Sequence, residues 1–148
     1  MISRALDYAL RSCLYMANRP EQEFFNVGEL ASHMDMSRTY LGKVLQKLVH
    51  IGYLRSMTGP TGGFALTEET LSRNLLDFVY ALDGEDALDP CLMGLSHCDD
   101  KNPCPVHSSW LRCKTDMIAK LKATTVADAR KQAWPLHVKA ARKVKSDA

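Results

Sequence analysis

Long hydrophobic runs are missing from this chain of 148 residues. No apolar stretch approaches the ~20 residues that cross a bilayer. The first helix-like stretch, residues 2–17, carries Arg4, Asp7 and Arg11, which excludes a secretory signal or a membrane span there. Because 46% of the residues are hydrophobic, a chain of this length can bury a core without disulfides. We predict one globular domain in the cytoplasm, with no membrane partner.

The sequence also lacks the usual signatures of disulfide frameworks and redox enzymes. It has five cysteines, an odd number, and no Cys-x-x-Cys pair, so a secreted disulfide framework does not fit. It has no nucleotide-binding glycine pattern and no obvious acid–base pair. These absences argue against a redox enzyme or electron carrier, and we predict that the protein is not an enzyme. Clustered cysteines in a reducing cytoplasm more often hold metal or take part in redox chemistry.

The formal net charge of +2 hides an uneven distribution. Residues 1–66 carry +2, residues 67–100 carry −8 and residues 101–148 carry +8. Such asymmetry indicates segments with different tasks, although a charge run is usually only a solvated face. Composition alone therefore does not identify a nucleic-acid-binding protein.

Apolar positions at helical spacing predict three helices near the start of the chain. Asn26, followed three residues later by Glu29, is suited to cap the second helix, and Ser37 is suited to cap the third. Gly52 ends the third helix. The expected buried faces are Leu6, Ala9, Leu10, Cys13 and Ala17 in the first helix, Val27, Leu30, Ala31 and Met34 in the second, and Leu41, Val44, Leu45 and Leu48 in the third.

Two short strands, residues 53–57 and 64–66, flank a glycine-rich segment at residues 58–63 that suits a hairpin tip. Three helices followed by a hairpin is the element order of a winged helix-turn-helix domain. The sequence therefore predicts a mainly α fold with a small β-hairpin wing, and a DNA-binding domain over residues 1–66.

The rest of the chain divides into four expected segments. A connecting helix is expected within residues 67–84, at residues 72–82, and a cysteine-bearing loop over residues 85–107. Ser108 is suited to cap a dimerisation helix at 108–128, where Leu111, Met117, Ile118 and Leu121 form an apolar stripe. Packing within one chain is the alternative for this stripe. Residues 129–148 are expected to form a basic, flexible tail.

The third helix is expected to lie in the major groove of DNA, because its outer face is polar while its inner face is apolar. The glycine-rich wing allows the backbone to approach the minor groove or a phosphate. The alternative for each polar residue is an ordinary solvated helix surface. The predicted DNA-binding residues are Ser37, Arg38, Thr39, Tyr40, Lys43, Gln46, Lys47, Arg4, Gly59, Pro60, Thr61 and Gly62.

Four soft or borderline metal ligands, Cys91, Cys98, Cys104 and His107, lie within 17 residues that offer little apolar content. Their gaps are wider than those of most structural zinc sites, whereas thiolates and histidine hold iron–sulfur clusters. We therefore favour a cluster. The alternatives are a zinc site, a disulfide-forming thiol switch and unligated thiols. Cys113 falls in the predicted dimerisation helix and is interpreted as structural.

Together these features make the chain resemble the Rrf family of winged-helix bacterial transcription regulators, which includes the iron–sulfur regulators IscR and NsrR. The resemblance covers roughly residues 1–129. It rests on Asp7-Tyr8-Ala9-Leu10-Arg11, on residues 37–48, on Gly59-Pro60-Thr61-Gly62-Gly63-Phe64, on the cysteine triplet and on Thr125-Val126-Ala127-Asp128.

The resemblance implies a homodimer that binds partly palindromic promoter DNA, with an affinity set by an iron–sulfur cluster on Cys91, Cys98 and Cys104. The fourth ligand is either His107, as in IscR-like members, or Asp7, reaching the cluster from the partner subunit as in NsrR-like members. In the Asp7 version, loss or nitrosylation of the cluster would release the first helix and shift the paired reading helices.

Three departures from the family pattern leave details open. The gap between Cys91 and Cys98 is one residue longer than usual, so both 2Fe-2S and 4Fe-4S clusters remain possible. Thr58 stands in the wing where many family members have an arginine, and Gly42 stands in the third helix where IscR-like members have an acidic residue. The resemblance therefore does not imply which DNA sequence is recognised.

The sequence predicts a transcription regulator that senses nitric oxide, redox stress or iron–sulfur status. Repression is favoured over activation. The first alternative is a cluster-free thiol or zinc switch of the same fold. A cysteine-based electron-transfer protein and a winged helix that binds protein instead of DNA are further alternatives.

Overall fold

The computed structural model describes residues 3–131. Seven helices and one two-stranded antiparallel sheet follow one another in this range. They are α1 (Arg4–Ala17), α2 (Val27–Met34), α3 (Arg38–His50), β1 (Leu54–Met57), β2 (Gly63–Leu66), α4 (Glu68–Ser72), α5 (Leu75–Asp83), α6 (His107–Ala123) and α7 (Val126–Lys131). The predicted mainly α fold with a hairpin wing is confirmed.

Helix α1 lies at the centre of the fold. The Ser3 hydroxyl caps it by accepting a hydrogen bond from the backbone N–H of Leu6. Its apolar face is buried as the spacing predicted, except that Leu10 is only half-buried, and it packs against α3, α5, α7 and β2. Cys13 lies on that face, and burial raises the pKa of its thiol to about 12. Cys13 is therefore a core residue with an unreactive thiol.

The helix-turn-helix unit is α2 and α3, and both predicted N-caps are present. The Asn26 side chain accepts from the N–H of Glu29, and the Ser37 hydroxyl accepts from the N–H of Tyr40. Asp35, in the left-handed backbone region at φ 52°, makes the tight turn between the helices. The inner face of α3 is buried over Leu41, Val44, Leu45 and Leu48.

The wing is the hairpin of β1 and β2, in which Leu54 pairs with Leu66 and Met57 pairs with Gly63. Glycine is required at Gly63, the strand residue next to the hairpin tip. A Cβ on Gly63 would lie 2.4 Å from the Phe25 carbonyl oxygen, and φ is +144° there. This close approach lets Phe25 and Phe64 exchange backbone hydrogen bonds of 2.9 and 2.8 Å. The wing is thereby tied to the segment that enters α2.

The segment expected to contain one connecting helix contains two, α4 and α5. Arg73 is extended and ends α4, and Asn74 caps α5 by accepting from the N–H of Asp77 at 2.9 Å. Two backbone hydrogen bonds with the segment that follows α6 stabilise this break. The N–H of Leu75 donates to the Thr124 carbonyl, and the N–H of Val126 donates to the Arg73 carbonyl.

The C-terminal elements also differ from the expectation. Helix α6 begins at His107, so Ser108 lies inside its first turn and is not its cap. Val106 is at the cap position without a side-chain hydrogen bond. Residues 129–131, expected in the tail, belong to α7, where Ala129 is buried. The rest of the predicted tail, 132–148, lies outside the described residues. Within residues 3–131, no helix is long and apolar enough to cross a membrane.

Candidate DNA-reading face and cysteine centre

The outer face of α3 presents the residues predicted to read DNA. Arg38, Thr39, Lys43, Gln46 and Lys47 are all exposed, whereas the opposite face of the helix is buried. Both the polar outer stripe and the apolar inner stripe follow from the helical period. The arrangement suits insertion of α3 into a major groove.

Two residues of this face also make contacts within the chain. Tyr40 is half-buried and packs edge-on against Tyr8, with ring centroids 5.2 Å apart. The Lys47 Nζ donates to the Leu82 carbonyl at 3.2 Å. Lys47 is thus tied to the end of α5, and a phosphate contact by its ammonium requires that this hydrogen bond be given up.

The remaining predicted DNA-binding residues lie at the wing tip and at the start of α1. Gly59, Pro60 and Thr61 are exposed at the tip, and the N–H of Gly62 donates to the Gly59 carbonyl at 3.1 Å to close the turn. Arg4 is exposed as the first residue of α1. The structure describes all twelve predicted positions, and seven of them are grouped at α3 and its cap.

The cysteine loop has no regular helix or strand from residue 84 to 106. It nevertheless brings sulfur atoms together, because Cys91 and Cys104 have their Sγ atoms 3.8 Å apart. Cys91 is only 6% exposed, and Cys98 and Cys104 are partly exposed. In contrast, Cys113 is exposed on α6.

The surroundings separate the acidities of two of these thiols. The N–H of Met93 donates to Cys91 Sγ at 3.4 Å and is the largest cause that lowers the pKa of Cys91. The neighbouring Cys104 thiol lowers it further. Burial raises the pKa of Cys98, and the charge of Cys91 adds to this effect. The thiolate, which is the form that binds metal, is thus favoured at Cys91.

The two candidates for a fourth ligand are in different surroundings. His107 Nε2 lies 2.8 Å from an Asp100 carboxylate oxygen, and the histidine side chain is only 12% exposed. Asp7 lies on α1, where both its carboxylate oxygens accept from Arg11 at 2.9 and 2.6 Å. Arg11 also donates to the Met34 carbonyl at 3.3 Å, at the end of α2.

Sequence reasoning missed three residues around these sites. Asp100 is the partner of His107, and the hydroxyl of Tyr8 accepts from the N–H of Ser37 at 3.2 Å. Lys114, with only 16% of its side chain exposed, lies 4.0 Å from Asp89 and lowers the pKa of Cys98 electrostatically. Lys114 follows His107 by seven residues, so helical spacing could have placed both on one face.

The arrangement is similar to that of known transcription regulators. The family model described as Rrf2, iron-dependent transcriptional regulator, matches residues 2–132. A relative from Aquifex aeolicus (strain VF5), described as an HTH-type transcriptional regulator, is 29% identical over 130 residues, which are 86% of this chain and 90% of the relative.

Two solved structures share the fold. The global cysteine regulator CymR of B. subtilis has a TM-score of 0.71 at 21% identity, over 88% of this chain and 95% of CymR. T. potens IscR has a TM-score of 0.67 at 19% identity, over 95% of this chain and 93% of IscR. The match to the family extends over nearly the whole chain and includes both α3 and the cysteine loop. The chain therefore belongs to the Rrf2 family, and it is a DNA-binding transcription regulator and not an enzyme.

Proposed function

We propose that the protein is a homodimeric repressor whose affinity for promoter DNA is controlled by an iron–sulfur cluster at Cys91, Cys98, Cys104 and His107. Its signal is nitric oxide, redox stress or iron–sulfur supply. The observation that carries the cluster assignment is the 3.8 Å separation of the Cys91 and Cys104 sulfur atoms. The lowered pKa of Cys91 supports it, because metal binding needs the thiolate.

The sulfur separation fits two thiolates on one metal ion. Two thiolates bound tetrahedrally at about 2.3 Å lie about 3.8 Å apart. This separation fits a two-iron cluster, in which two thiolates share one iron, better than a four-iron cluster with one cysteine per iron. Such a cluster supplies iron that reacts with oxidants and nitric oxide.

The Asp100 contact supports His107 as the fourth ligand. A metal-binding histidine usually uses one ring nitrogen for the metal and the other for a carboxylate, which fixes the ring orientation. His107 already has Nε2 against Asp100, so Nδ1 is left for metal. Asp7 would first have to leave its two hydrogen bonds with Arg11.

Dimerisation through α6 is supported by the exposure of that helix. None of its 17 residues is buried within the chain. Met117, Ile118 and Leu121 pack against the core of their own chain, as the alternative for the stripe predicted, and remain partly exposed. Leu92 and Met93 leave further apolar surface exposed in the cysteine loop. A second copy packed on α6 would bury the apolar surface that the chain itself leaves exposed.

Native mass spectrometry of protein purified without oxygen tests the cluster and the dimer together. We expect a dimer with two irons and two sulfides per chain. Cys104→Ser should remove the bound inorganic mass, whereas Cys113→Ser should keep it, since Cys113 is exposed on α6. A dimer with zinc, or with no bound mass, would refute the cluster, and a monomer would refute dimerisation.

The fourth ligand is tested by comparing His107→Ala with Asp7→Ala in the same measurement and in visible absorption. Loss of bound iron or a shifted spectrum only in His107→Ala is the expected result. The same loss only in Asp7→Ala would instead establish the ligand from the partner subunit.

A second candidate function is a cluster-free thiol switch, and the same sulfur contact favours it. Thiols 3.8 Å apart need only a small movement to reach the ~2.05 Å bond of a disulfide. Mild oxidation of metal-free protein would then link Cys91 to Cys104, with a mass loss of about two hydrogens, and would change DNA affinity. Unchanged affinity after complete formation of this disulfide would exclude the switch.

A further inference from the structure

A shallow groove crosses the outer face of α3. Its volume is about 670 Å³. The lining residues come from three elements, α2, α3 and the wing: Val27, Thr39, Gly42, Lys43, Gln46 and Phe64. The three polar residues are predicted base-reading or phosphate-contacting residues, and all three are exposed. Val27 is half-buried and Phe64 is only 9% exposed, so the floor of the groove is apolar and its rim is polar.

Gly42 opens the middle of this groove. Thr39, Gly42 and Gln46 are spaced by three and four residues, which places them in one row on the helix surface. The row therefore has side chains at its two ends and a gap between them. Gly42 is the only glycine among the 13 residues of α3.

No contact within the chain requires glycine at this position. Gly42 has no left-handed backbone angle, and a Cβ built there would meet only Val27 Cγ2, at an ordinary distance of 3.9 Å. Glycine in a helix interior destabilises the helix relative to alanine. The absence of a side chain thus carries a cost in stability without a steric reason in the described fold, and the space it leaves faces outward.

We propose that the gap at Gly42 receives the 5-methyl group of a thymine in the DNA major groove. This inference rests on the DNA-binding function and adds a specificity-determining residue to it. Thymine is the base whose major-groove edge carries a methyl group, while the other edge groups are hydrogen-bond donors or acceptors. A polar base edge pressed against Val27 and Phe64 would lose water without gaining a partner. Thr39 and Gln46 flank the gap and can hydrogen-bond the neighbouring bases.

The test removes one methyl group from the DNA and adds one to the protein. A duplex is first selected from a random library with the wild-type protein, and each thymine is then replaced singly by deoxyuridine, which lacks only the 5-methyl group. For the wild type we expect about a fourfold loss of affinity at one position of each half-site, the value of one buried methyl group. Replacement in both half-sites should cost roughly fifteenfold.

Gly42→Ala should reverse this preference. Its methyl group occupies the gap, so the variant should bind the thymine duplex more weakly than the wild type and regain affinity on the deoxyuridine duplex. A raised melting temperature would show that Gly42→Ala folds normally. His50→Ala is the matched control, because His50 is exposed in the last turn of α3 and does not line the groove. The control should keep the wild-type preference for thymine.

Two results would overturn the groove proposal while leaving DNA binding intact. One is a wild-type protein whose affinity changes less than twofold at every thymine position. The other is a thymine preference that Gly42→Ala leaves unchanged. Absence of any salt-dependent binding to duplex DNA would refute the DNA-binding function, and the groove proposal with it.

Discussion

Lys43→Ala should weaken DNA binding and flatten its dependence on salt. Lys43 is exposed on the outer face of α3, on the rim of the groove. A lysine that neutralises one phosphate contributes about −0.9 to the slope of log affinity against log salt concentration. Because a homodimer carries two copies, the slope should become less negative by about 1.8. Between ~50 and ~200 mM salt, the wild type should then lose roughly twelvefold more affinity than the variant.

Lys47→Ala should lower DNA affinity at a fixed salt concentration less than Lys43→Ala does. The Lys47 ammonium donates to the Leu82 carbonyl at 3.2 Å, so part of its contribution to DNA binding is offset by the hydrogen bond it gives up. Fluorescence anisotropy titrations of the selected duplex at four salt concentrations give both slopes, with His50→Ala as control. Unchanged affinity and slope for Lys43→Ala would remove α3 from its assigned role. An equal or larger effect for Lys47→Ala would refute the reasoning about the hydrogen bond.

The other predictions concern stability, thiol chemistry and pH. Asn74→Ala should lower the free energy of unfolding by about 1 kcal/mol, because it removes the cap on the N–H of Asp77, and an unchanged urea midpoint would contradict this. Iodoacetamide at about pH 8 should leave Cys13 unmodified in the folded protein, because a thiol with a pKa of about 12 has almost no thiolate there, and alkylation of Cys13 without unfolding would contradict this. The hydrogen bond from the Thr125 side chain is the main cause that lowers the pKa of Asp128, so the stabilisation by this carboxylate is present above its unfolded pKa and is lost as pH falls through the lowered folded value. Thermal unfolding of Asp128→Asn should lack this acid-dependent part, and identical pH profiles for the two proteins would contradict it.

The parts of the fold that the sequence predicted well depend on local chemistry. Asn26 and Ser37 cap their helices because a short polar side chain needs only the N–H three residues ahead. The apolar faces of α1 and α3 follow from helical spacing in the same way. The outer face of α3 could therefore be identified without knowing what packs behind it.

The break between α4 and α5 was missed for a reason that is not local. Leu71 and Leu75 continue one apolar spacing across the break, which favoured a single helix in the sequence. In the fold, Leu75 and Arg73 instead pair with Thr124 and Val126, about 50 residues further along the chain. Such pairing depends on where α6 ends relative to α5, and spacing within one segment contains no information about that.

In the cysteine centre, too, some features follow from local spacing and others depend on distant contacts. Spacing predicted that Cys91, Cys98 and Cys104 form one group, since a loop with little apolar content gives them no other reason to cluster. It did not identify Asp100 or Lys114, because their contacts with His107 and Asp89 depend on how an irregular loop folds back against α6. The three cysteines could thus be grouped from the sequence as candidate ligands, while the contacts of Asp100 and Lys114 beside them required the fold.

The end of α5 connects the cysteine loop to α3 and to the start of α1 through hydrogen bonds. The Leu82 carbonyl accepts from Lys47 of α3, and the Asp83 carboxylate accepts from both the N–H and the hydroxyl of Ser3, the cap of α1. The cysteine loop begins at the next residue, Gly84, with φ at +95°. A rearrangement that moves the start of the loop therefore acts on α1 and α3 at once, through two direct contacts. Coupling of the loop to DNA binding would require two arrangements of these elements with different affinities for DNA. Leu82 and Asp83 are thus the residues through which the start of the cysteine loop is hydrogen-bonded to α3 and to the cap of α1.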